Sequence, residues 1–198
     1  MMRVVKKPEE RRAEMVAAAA RLFAQQGFVR TSVAEIVSAV DVAKGLFYYY
    51  FTTKDDMVKA VVEGYCSYLG AHAEAIAAGE GTAMQKFERL LRPEIWKQCF
   101  TAPLIADLRL PQHAALYADL CDRVYAHMGP ALKRMAVQAL RELPGANISR
   151  DDADKLVGMT LYGQLMMARL GEMTLQDAMD IIRRTVAGWQ TAPERCAL

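Results

Sequence analysis

The chain has 198 residues with a formal net charge of +2, and hydrophobic residues make up 53% of it. This composition is typical of a globular protein that buries a core, and it argues against a disordered chain. No apolar run is long enough to span a bilayer, and the chain starts without the segments of a secretion signal, so we expect a cytoplasmic protein with no membrane partner.

The sequence lacks the patterns typical of a metal site, a cofactor site or an enzyme. Its four cysteines stand far apart without a CxxC pair, and its three histidines share no metal-ligand spacing. Neither paired carboxylates nor a nucleophile–base pair suggests a catalytic centre. We therefore expect reduced thiols, no metal, no cofactor and no enzymatic activity.

The first predicted element is a long amphipathic helix. Alanine, methionine and leucine are abundant and no segment alternates β-branched with polar residues, so we predict an all-α fold. The helix EERRAEMVAAAARLFAQQ can open at Pro8 and end at Gly27. Its apolar residues recur at helical spacing and form one stripe, made of Met15, Val16, Ala19, Leu22 and Phe23.

Two short helices are predicted next. Thr31 or Ser32 can cap the first, VAEIVSAV, and the second runs from Lys44 to Tyr50. Residues 41–43 between them leave room only for a tight turn. Two short helices across such a turn, braced by a longer helix before them, follow the helix-turn-helix plan.

The remaining chain is predicted as further helices. Thr53 and Asp56 form a capping box for a helix that ends near Ala78. Ser149 and Asp152 form a second capping box. Further helices are expected over 82–91, within 94–111, over 112–143 with a kink or break at Gly129-Pro130, from 149 to about 170, and over 174–190.

Three consecutive tyrosines stand in the second short helix, between Phe47 and Phe51. The two phenylalanines are four residues apart and can pack inward together, which leaves Tyr48, Tyr49 and Tyr50 on the flank and outer face. Tyrosine hydroxyls and lysine ammonium groups commonly donate to DNA phosphates. Residues 1–60 hold ten basic and seven acidic side chains, and this modest excess also favours an anionic partner.

Residues 12–58 resemble the N-terminal DNA-binding domain of TetR-family transcriptional regulators. The resemblance is carried without a gap by AARLFAQQGF at 19–28, TSVAEIV at 31–37 and VAKGLFYYYFTTKDDM at 42–57. Three positions depart from the family pattern. Val40-Asp41 replaces the usual Ala-Gly of the turn, Ala43 lacks the usual hydroxyl, and Leu46 replaces a small polar residue. Aspartate tolerates the left-handed conformation that the turn needs, and Leu46 is able to contact a thymine methyl group.

The resemblance implies DNA contacts residue by residue. Thr31 and Ser32 are expected at phosphates near the start of the second helix. Expected at or near base edges are Lys44, Gly45, Leu46 and Tyr49. Expected to clamp phosphates are Tyr48, Tyr50 and Lys54.

The resemblance also implies a helical ligand-binding and dimerisation domain over residues 54–198, joined through the long helix to the helix-turn-helix domain over residues 1–53. Methionine-rich and aromatic walls suit adaptable, largely apolar ligands. The expected wall residues are Trp96, Phe100, Tyr117, Tyr162 and Met166. The expected dimer face, on the last two helices, holds Leu156, Met159, Met167, Met179, Ile182 and Val186. Ordinary core packing is the alternative for each of these residues.

We therefore expect a bacterial, ligand-responsive homodimeric repressor. It would bind double-stranded DNA at a palindromic operator and be released by a small, largely apolar effector. One alternative is a DNA-bound structural or adaptor protein whose C-terminal domain binds a protein partner. Another is an activator, which would share all the DNA-binding residues.

Overall fold

The computed structural model describes residues 7–90 and 92–142, together with Ser149, Asp151, Lys155, Gly158, Met159, Tyr162, Gly163, Met166, Met167 and Asp177. Within these residues the regular structure is helical, as predicted. The helices are α1 (Pro8–Gln26), α2 (Val33–Ser38), α3 (Lys44–Tyr50), α4 (Lys54–Ala78), α5 (Ala83–Leu90), α6 (Pro93–Cys99), α7 (Ala102–Leu108) and α8 (Ala114–Glu142), with a 3₁₀ turn at Pro111–His113 before α8.

The predicted helices up to residue 142 are found close to their expected bounds. At Gly129-Pro130, where a kink or a break was predicted, α8 continues without a break, and the kink stays a prediction. Proline removes one backbone donor, and in a helix of 29 residues the turns on either side are long enough to continue the helix. The predicted helix over 174–190 and most of the one before it lie outside the described residues, as does Asp152 of the second capping box.

The chain divides into two compact units. The first contains residues 1–65 and 96–120, and the second contains residues 66–95 and 121–198. The predicted domain boundary between residues 53 and 54 stays a prediction.

The core of the first unit is aromatic and sulfur-rich. Its fully buried side chains include Met15, Phe23, Phe28, Ile36, Phe47 and Met57. These residues come from α1, the loop after it, α2, α3 and α4, so burial of their apolar surface holds the N-terminal helices together. The stripe predicted on α1 supplies two of them.

The second unit contains a buried lysine within a polar network. The Lys86 ammonium donates to the Ala77 carbonyl and to Gln138 Oε1, both at 2.9 Å. The Glu142 carboxylate accepts the Ala83 N–H at 2.9 Å, at the start of α5. The lysine's hydrogen bonds offset the cost of burying a charge, and the network ties α4, α5 and α8 together.

None of the helices in the described part of the chain combines the length and the hydropathy that a bilayer span requires.

Candidate nucleic-acid interface

A reciprocal capping box begins α2. The Ser32 hydroxyl accepts the Glu35 N–H at 3.2 Å, and the Glu35 carboxylate accepts the Ser32 N–H at 2.7 Å. Of the two predicted caps, Ser32 is therefore the one used. The hydrogen bonds from Ser32 lower the pKa of the Glu35 carboxyl, so the carboxylate is ionised at neutral pH beside the hydroxyl predicted to contact phosphate.

The turn between α2 and α3 is closed by backbone hydrogen bonds. Val42 N–H donates to the Val37 carbonyl at 3.0 Å, and Asp41 N–H donates to the Ser38 carbonyl at 3.2 Å. Asp41 has φ of +51°, the left-handed conformation anticipated at this departure from the family pattern. The turn therefore forms with aspartate in place of glycine.

Helix α3 places its aromatic residues as predicted. Phe47 is buried and packs on the ring of Phe51 with centroids 5.5 Å apart. Tyr48 and Tyr49 are 52% and 76% exposed, and Tyr50 is half-buried. The helix thus exposes phenol groups to solvent on one side and buries Phe47 in the core on the other.

The first residues of α3 are accessible to solvent. Lys44 and Gly45 are exposed, Leu46 is half-buried, and the Lys44 ammonium lies 6.0 Å from the centroid of the Tyr48 ring. A Cβ added to Gly45 would meet nothing within 4 Å. Ala43 at the N-cap makes no side-chain hydrogen bond, which agrees with the loss of a hydroxyl cap expected there. A duplex groove can therefore approach the backbone at Gly45.

Thr31 is buried, whereas it was predicted to contact a phosphate. Its side chain is 1% exposed, and its hydroxyl donates to the Gly27 carbonyl at 2.7 Å. Gln26 Nε2 also donates to the Thr31 hydroxyl oxygen at 3.3 Å. This threonine fastens the chain between α1 and α2, so it does not present its hydroxyl to a phosphate in this structure.

Lys54 likewise makes contacts that the sequence did not predict. Its ammonium donates to the backbone carbonyls of Phe28, Val29 and Thr31 at 2.9, 3.3 and 3.2 Å. It also lies 5.9 Å from the centroid of the Phe28 ring. The phosphate contact expected of Lys54 stays a prediction, and the structure adds a second role in holding this loop.

An open groove of about 440 Å³ lies between α1 and the α2–α3 turn. Arg11, Glu14, Ala17, Arg21 and residues 38–41 line it. Arg11 Nη1 pairs with Glu14 Oε2 at 3.1 Å. The groove lies outside the helices predicted to bind the effector, and its mixed charges do not suit a largely apolar ligand.

The predicted effector residues lie in both units. Trp96, Phe100 and Tyr117 are in the first unit, where Trp96 is buried and the other two are half-buried. Tyr162 and Met166 are in the second, where Tyr162 is 55% exposed and its ring lies 6.4 Å from that of Tyr125. The structure thus places three of the five together in one unit, and the shared pocket stays a prediction.

Two of the six predicted dimer residues are described. Met159 and Met167 are both exposed, Met159 at 74%. A Cβ added to the neighbouring Gly158 or Gly163 would meet nothing within 4 Å. The other four lie outside the described residues: Leu156, Met179, Ile182 and Val186.

Residues 15–61 match the family model for bacterial regulatory proteins of the tetR family. The N-terminal domain is that of a TetR-family regulator. This match covers most of α1, all of α2 and α3, and the start of α4, so the resemblance carried by the sequence motifs is confirmed.

Named relatives of this chain are transcriptional regulators. The repressor KstR2 of Mycobacterium tuberculosis strain H37Rv is 28% identical over 90 residues, 46% of this chain and 45% of that protein. KstR2 of Rhodococcus jostii is 36% identical over 70 residues, 35% of this chain and 34% of that protein. This chain thus matches less than half the length of either. These names agree with the expectation that the protein is not an enzyme.

Solved structures of regulators share the fold of this chain along nearly its whole length. RolR in complex with resorcinol has a TM-score of 0.60 at 19% identity, covering 94% of this chain and 95% of that one. The fatty acid degradation regulator FadR of Bacillus halodurans has a TM-score of 0.56 at 14% identity, covering 96% and 98%. The predicted fold, an N-terminal helix-turn-helix domain followed by a helical domain, is confirmed.

The roles of two side chains that hold the N-terminal domain were not predicted from the sequence. Glu35 stands three residues after Ser32, and this Ser-x-x-Glu spacing is itself a capping-box signature that could have revealed it. Asp107 accepts the Val29 N–H at 2.8 Å from 78 positions away. No local pattern marks a pair so distant, and only the folded chain reveals it.

Proposed function

We propose that this protein is a cytoplasmic DNA-binding transcriptional regulator, acting as a homodimeric repressor at a palindromic operator and released by a small, largely apolar molecule. The observation that carries the proposal is α3, which buries Phe47 while exposing Lys44, Gly45, Tyr48 and Tyr49. One face of this helix is needed for the core, and the other supplies cationic and phenolic donors for a duplex.

The residues of the proposed interface fit different parts of DNA. Lys44, Gly45, Leu46 and Tyr49 at the start and outer face of α3 are suited to base edges in the major groove. Tyr48 and Tyr50 are suited to phosphates, which position a protein on the duplex without reading its sequence. The Ser32 hydroxyl donates to the Glu35 carboxylate at 2.7 Å, so its predicted phosphate contact requires it to turn away from Glu35. Thr31 and Lys54 contribute through the loop that they hold, whether or not Lys54 also reaches a phosphate.

A homodimer would place two copies of this interface on one DNA duplex. Met159 and Met167, two residues of the predicted dimer face, are exposed apolar side chains, and this supports an interface there. In a two-fold dimer the two recognition helices would enter major grooves about 34–36 Å apart, as helix-turn-helix dimers do on palindromic sites. The relatives named as KstR2 repressors support the direction of regulation.

Support for an apolar effector comes from the first unit. The ring of Tyr65 lies 6.0 Å from that of Phe100, next to the buried Cys99. Burial raises the pKa of the Tyr65 phenol and of the Cys99 thiol. Both groups are therefore neutral near pH 7, and this surrounding favours an uncharged ligand. The Thr101 hydroxyl is buried without a hydrogen-bond partner in the described chain, and it could serve one polar group of such a ligand.

The experiment is operator selection followed by titration. Genomic DNA fragments bound by the purified protein are sequenced, and affinity for the recovered site is measured by fluorescence anisotropy. The variant Tyr49→Ala is expected to weaken binding by about tenfold, the loss of roughly 1–3 kcal/mol per specific contact. Tyr68→Ala is the matched control, because Tyr68 is an exposed tyrosine on α4 outside the proposed interface. Equal affinities of the two variants would refute the assignment of α3.

Effector release is tested on the same complex. Resorcinol, the molecule bound in the RolR structure, is the first probe, with phenol and benzoate as neutral and anionic comparisons. We expect a neutral aromatic to lower operator affinity, by roughly 5–150-fold if the coupling is about 1–3 kcal/mol. Release by the anion alone would contradict the proposed apolar site.

A further inference from the structure

The loop between α1 and α2, residues 27–31, is held by side chains from outside the helix-turn-helix. We call it the α1–α2 loop. It begins at Gly27, whose φ is +80°. A Cβ at Gly27 would lie 2.3 Å from Asp107 Oδ2 and 3.2 Å from the Pro103 carbonyl oxygen. Glycine therefore allows α7 to come into direct contact with this loop.

Asp107 binds the backbone of the loop. Its Oδ2 accepts the Val29 N–H at 2.8 Å. The ring of His113, in the 3₁₀ turn that follows α7, lies 4.8 Å from the ring of the buried Phe28. The segment from α7 to the 3₁₀ turn thus holds the loop through one hydrogen bond to a carboxylate and one aromatic contact.

Lys54 binds the carbonyls of the same loop, with three hydrogen bonds between 2.9 and 3.3 Å. The Val29 N–H of the loop therefore donates to a carboxylate from α7. Three backbone carbonyls of the loop accept hydrogen bonds from an ammonium group from α4. Hydrogen bonds to charged groups are stronger than neutral ones, so the loop is well fixed. The next residue, Ser32, is the N-cap of α2. The position of the loop therefore sets where the helix-turn-helix begins.

We propose that Asp107 is a positioning residue for operator recognition, through which α7 orients α2 and α3 for specific binding. This inference rests on the proposed function. Base readout requires side chains placed to within hydrogen-bond tolerance, whereas attraction to phosphates tolerates misplacement. Loss of Asp107 should therefore weaken binding to the operator much more than binding to unrelated DNA.

The test compares Asp107→Ala, Asp107→Asn and the wild-type chain on the recovered operator and on a scrambled duplex. Asp107→Ala removes the acceptor, and we expect about a tenfold loss of operator affinity, equivalent to roughly 1.4 kcal/mol, with unchanged affinity for the scrambled duplex. Asn keeps an acceptor oxygen, so Asp107→Asn should restore most of the affinity. Glu88→Gln, at an exposed carboxylate on α5, controls for the loss of one negative charge.

A merely stabilising Asp107 would lower the melting temperature without changing the ratio of operator to scrambled affinity, and that result would overturn the proposal. Should Asp107→Ala fail to fold, hydrogen exchange in the wild-type chain decides the matter. The Val29 amide is expected to be protected, and more so with operator bound. Unprotected exchange at Val29 would also overturn the proposal. Absence of any operator for the wild-type chain would instead contradict the proposed function.

Discussion

The packing of the protein does not explain why residue 45 is a glycine. It lies near the start of α3 with nothing within 4 Å of the position that a Cβ would take. Glycine inside a helix costs about 0.5–1 kcal/mol relative to alanine. A residue that weakens its helix without serving the packing is best explained by what approaches it from outside, which in the proposed function is DNA.

Replacing Gly45 should therefore separate stability from function. We expect Gly45→Ala to raise the free energy of unfolding by about 0.5–1 kcal/mol. Gly45→Val should lower operator affinity at least about tenfold, because its side chain would occupy the space of the groove. Gly64→Ala is the control, since Gly64 is an exposed glycine on α4 whose added Cβ also meets nothing within 4 Å. Thermal melts and anisotropy titrations check both effects. Unchanged operator affinity of Gly45→Val would contradict the close approach.

Lys54 has an observed role in the α1–α2 loop and a predicted role at a phosphate, and salt dependence can distinguish them. A lysine that neutralises one phosphate contributes about 0.9 to the slope of log affinity against log salt concentration. If Lys54 acts only through the α1–α2 loop, Lys54→Met lowers operator affinity and melting temperature and leaves the slope unchanged. Lys44→Met should reduce the slope by about 0.9, and exposed Lys59→Met serves as the charge control. A reduced slope for Lys54→Met would establish the phosphate clamp instead.

At the scale of elements, the α2–α3 turn shows how the chain tolerates a departure from its family. Asp41 adopts φ of +51°, and backbone hydrogen bonds close the turn around it. The left-handed conformation costs a typical residue roughly 1–2 kcal/mol, and aspartate less. The turn is therefore formed with some strain that a glycine would relieve.

Asp41→Gly should accordingly stabilise the protein. We expect a gain of up to about 1 kcal/mol, which corresponds to a rise in melting temperature of roughly 2–4 °C for a chain of this size. Asp41→Ala should give no such rise, because its Cβ keeps the conformational cost. Circular dichroism melts measure both variants. A melting temperature of Asp41→Gly at or below the wild-type value would show that the aspartate side chain stabilises the turn.

At the scale of the whole molecule, the two-fold symmetry of the proposed dimer matches the symmetry of a palindromic DNA site. Met159→Lys places a charge on the proposed face, where burial without a partner costs several kcal/mol. We expect this variant to be monomeric by light scattering and to lose most of its operator affinity, since one half-site binds weakly alone. Tyr68→Lys, at another exposed apolar side chain, should remain dimeric. If the Met159→Lys variant is still dimeric, the dimer interface lies elsewhere on the protein.

Much of the local structure was predictable because its causes act over a few residues. The apolar stripe of α1, the cap at Ser32, the left-handed Asp41 and the outward tyrosines of α3 all depend on neighbours within one or two turns. The family was predictable for the same reason, since its signature lies in residues 15–61, one continuous stretch.

The roles of Thr31, Lys54 and Asp107 were decided by tertiary structure. Each is a polar side chain whose hydrogen-bond partner depends on which backbone groups the folded chain brings near it. For Lys54 those groups lie 23 to 26 residues away, and for Asp107 the group lies 78 residues away. The sequence by itself determined helices, turn and family, because these follow from short-range sterics, capping and periodicity. Only the fold decided that α4 and α7 meet at the α1–α2 loop, because long-range contacts depend on how the chain closes on itself.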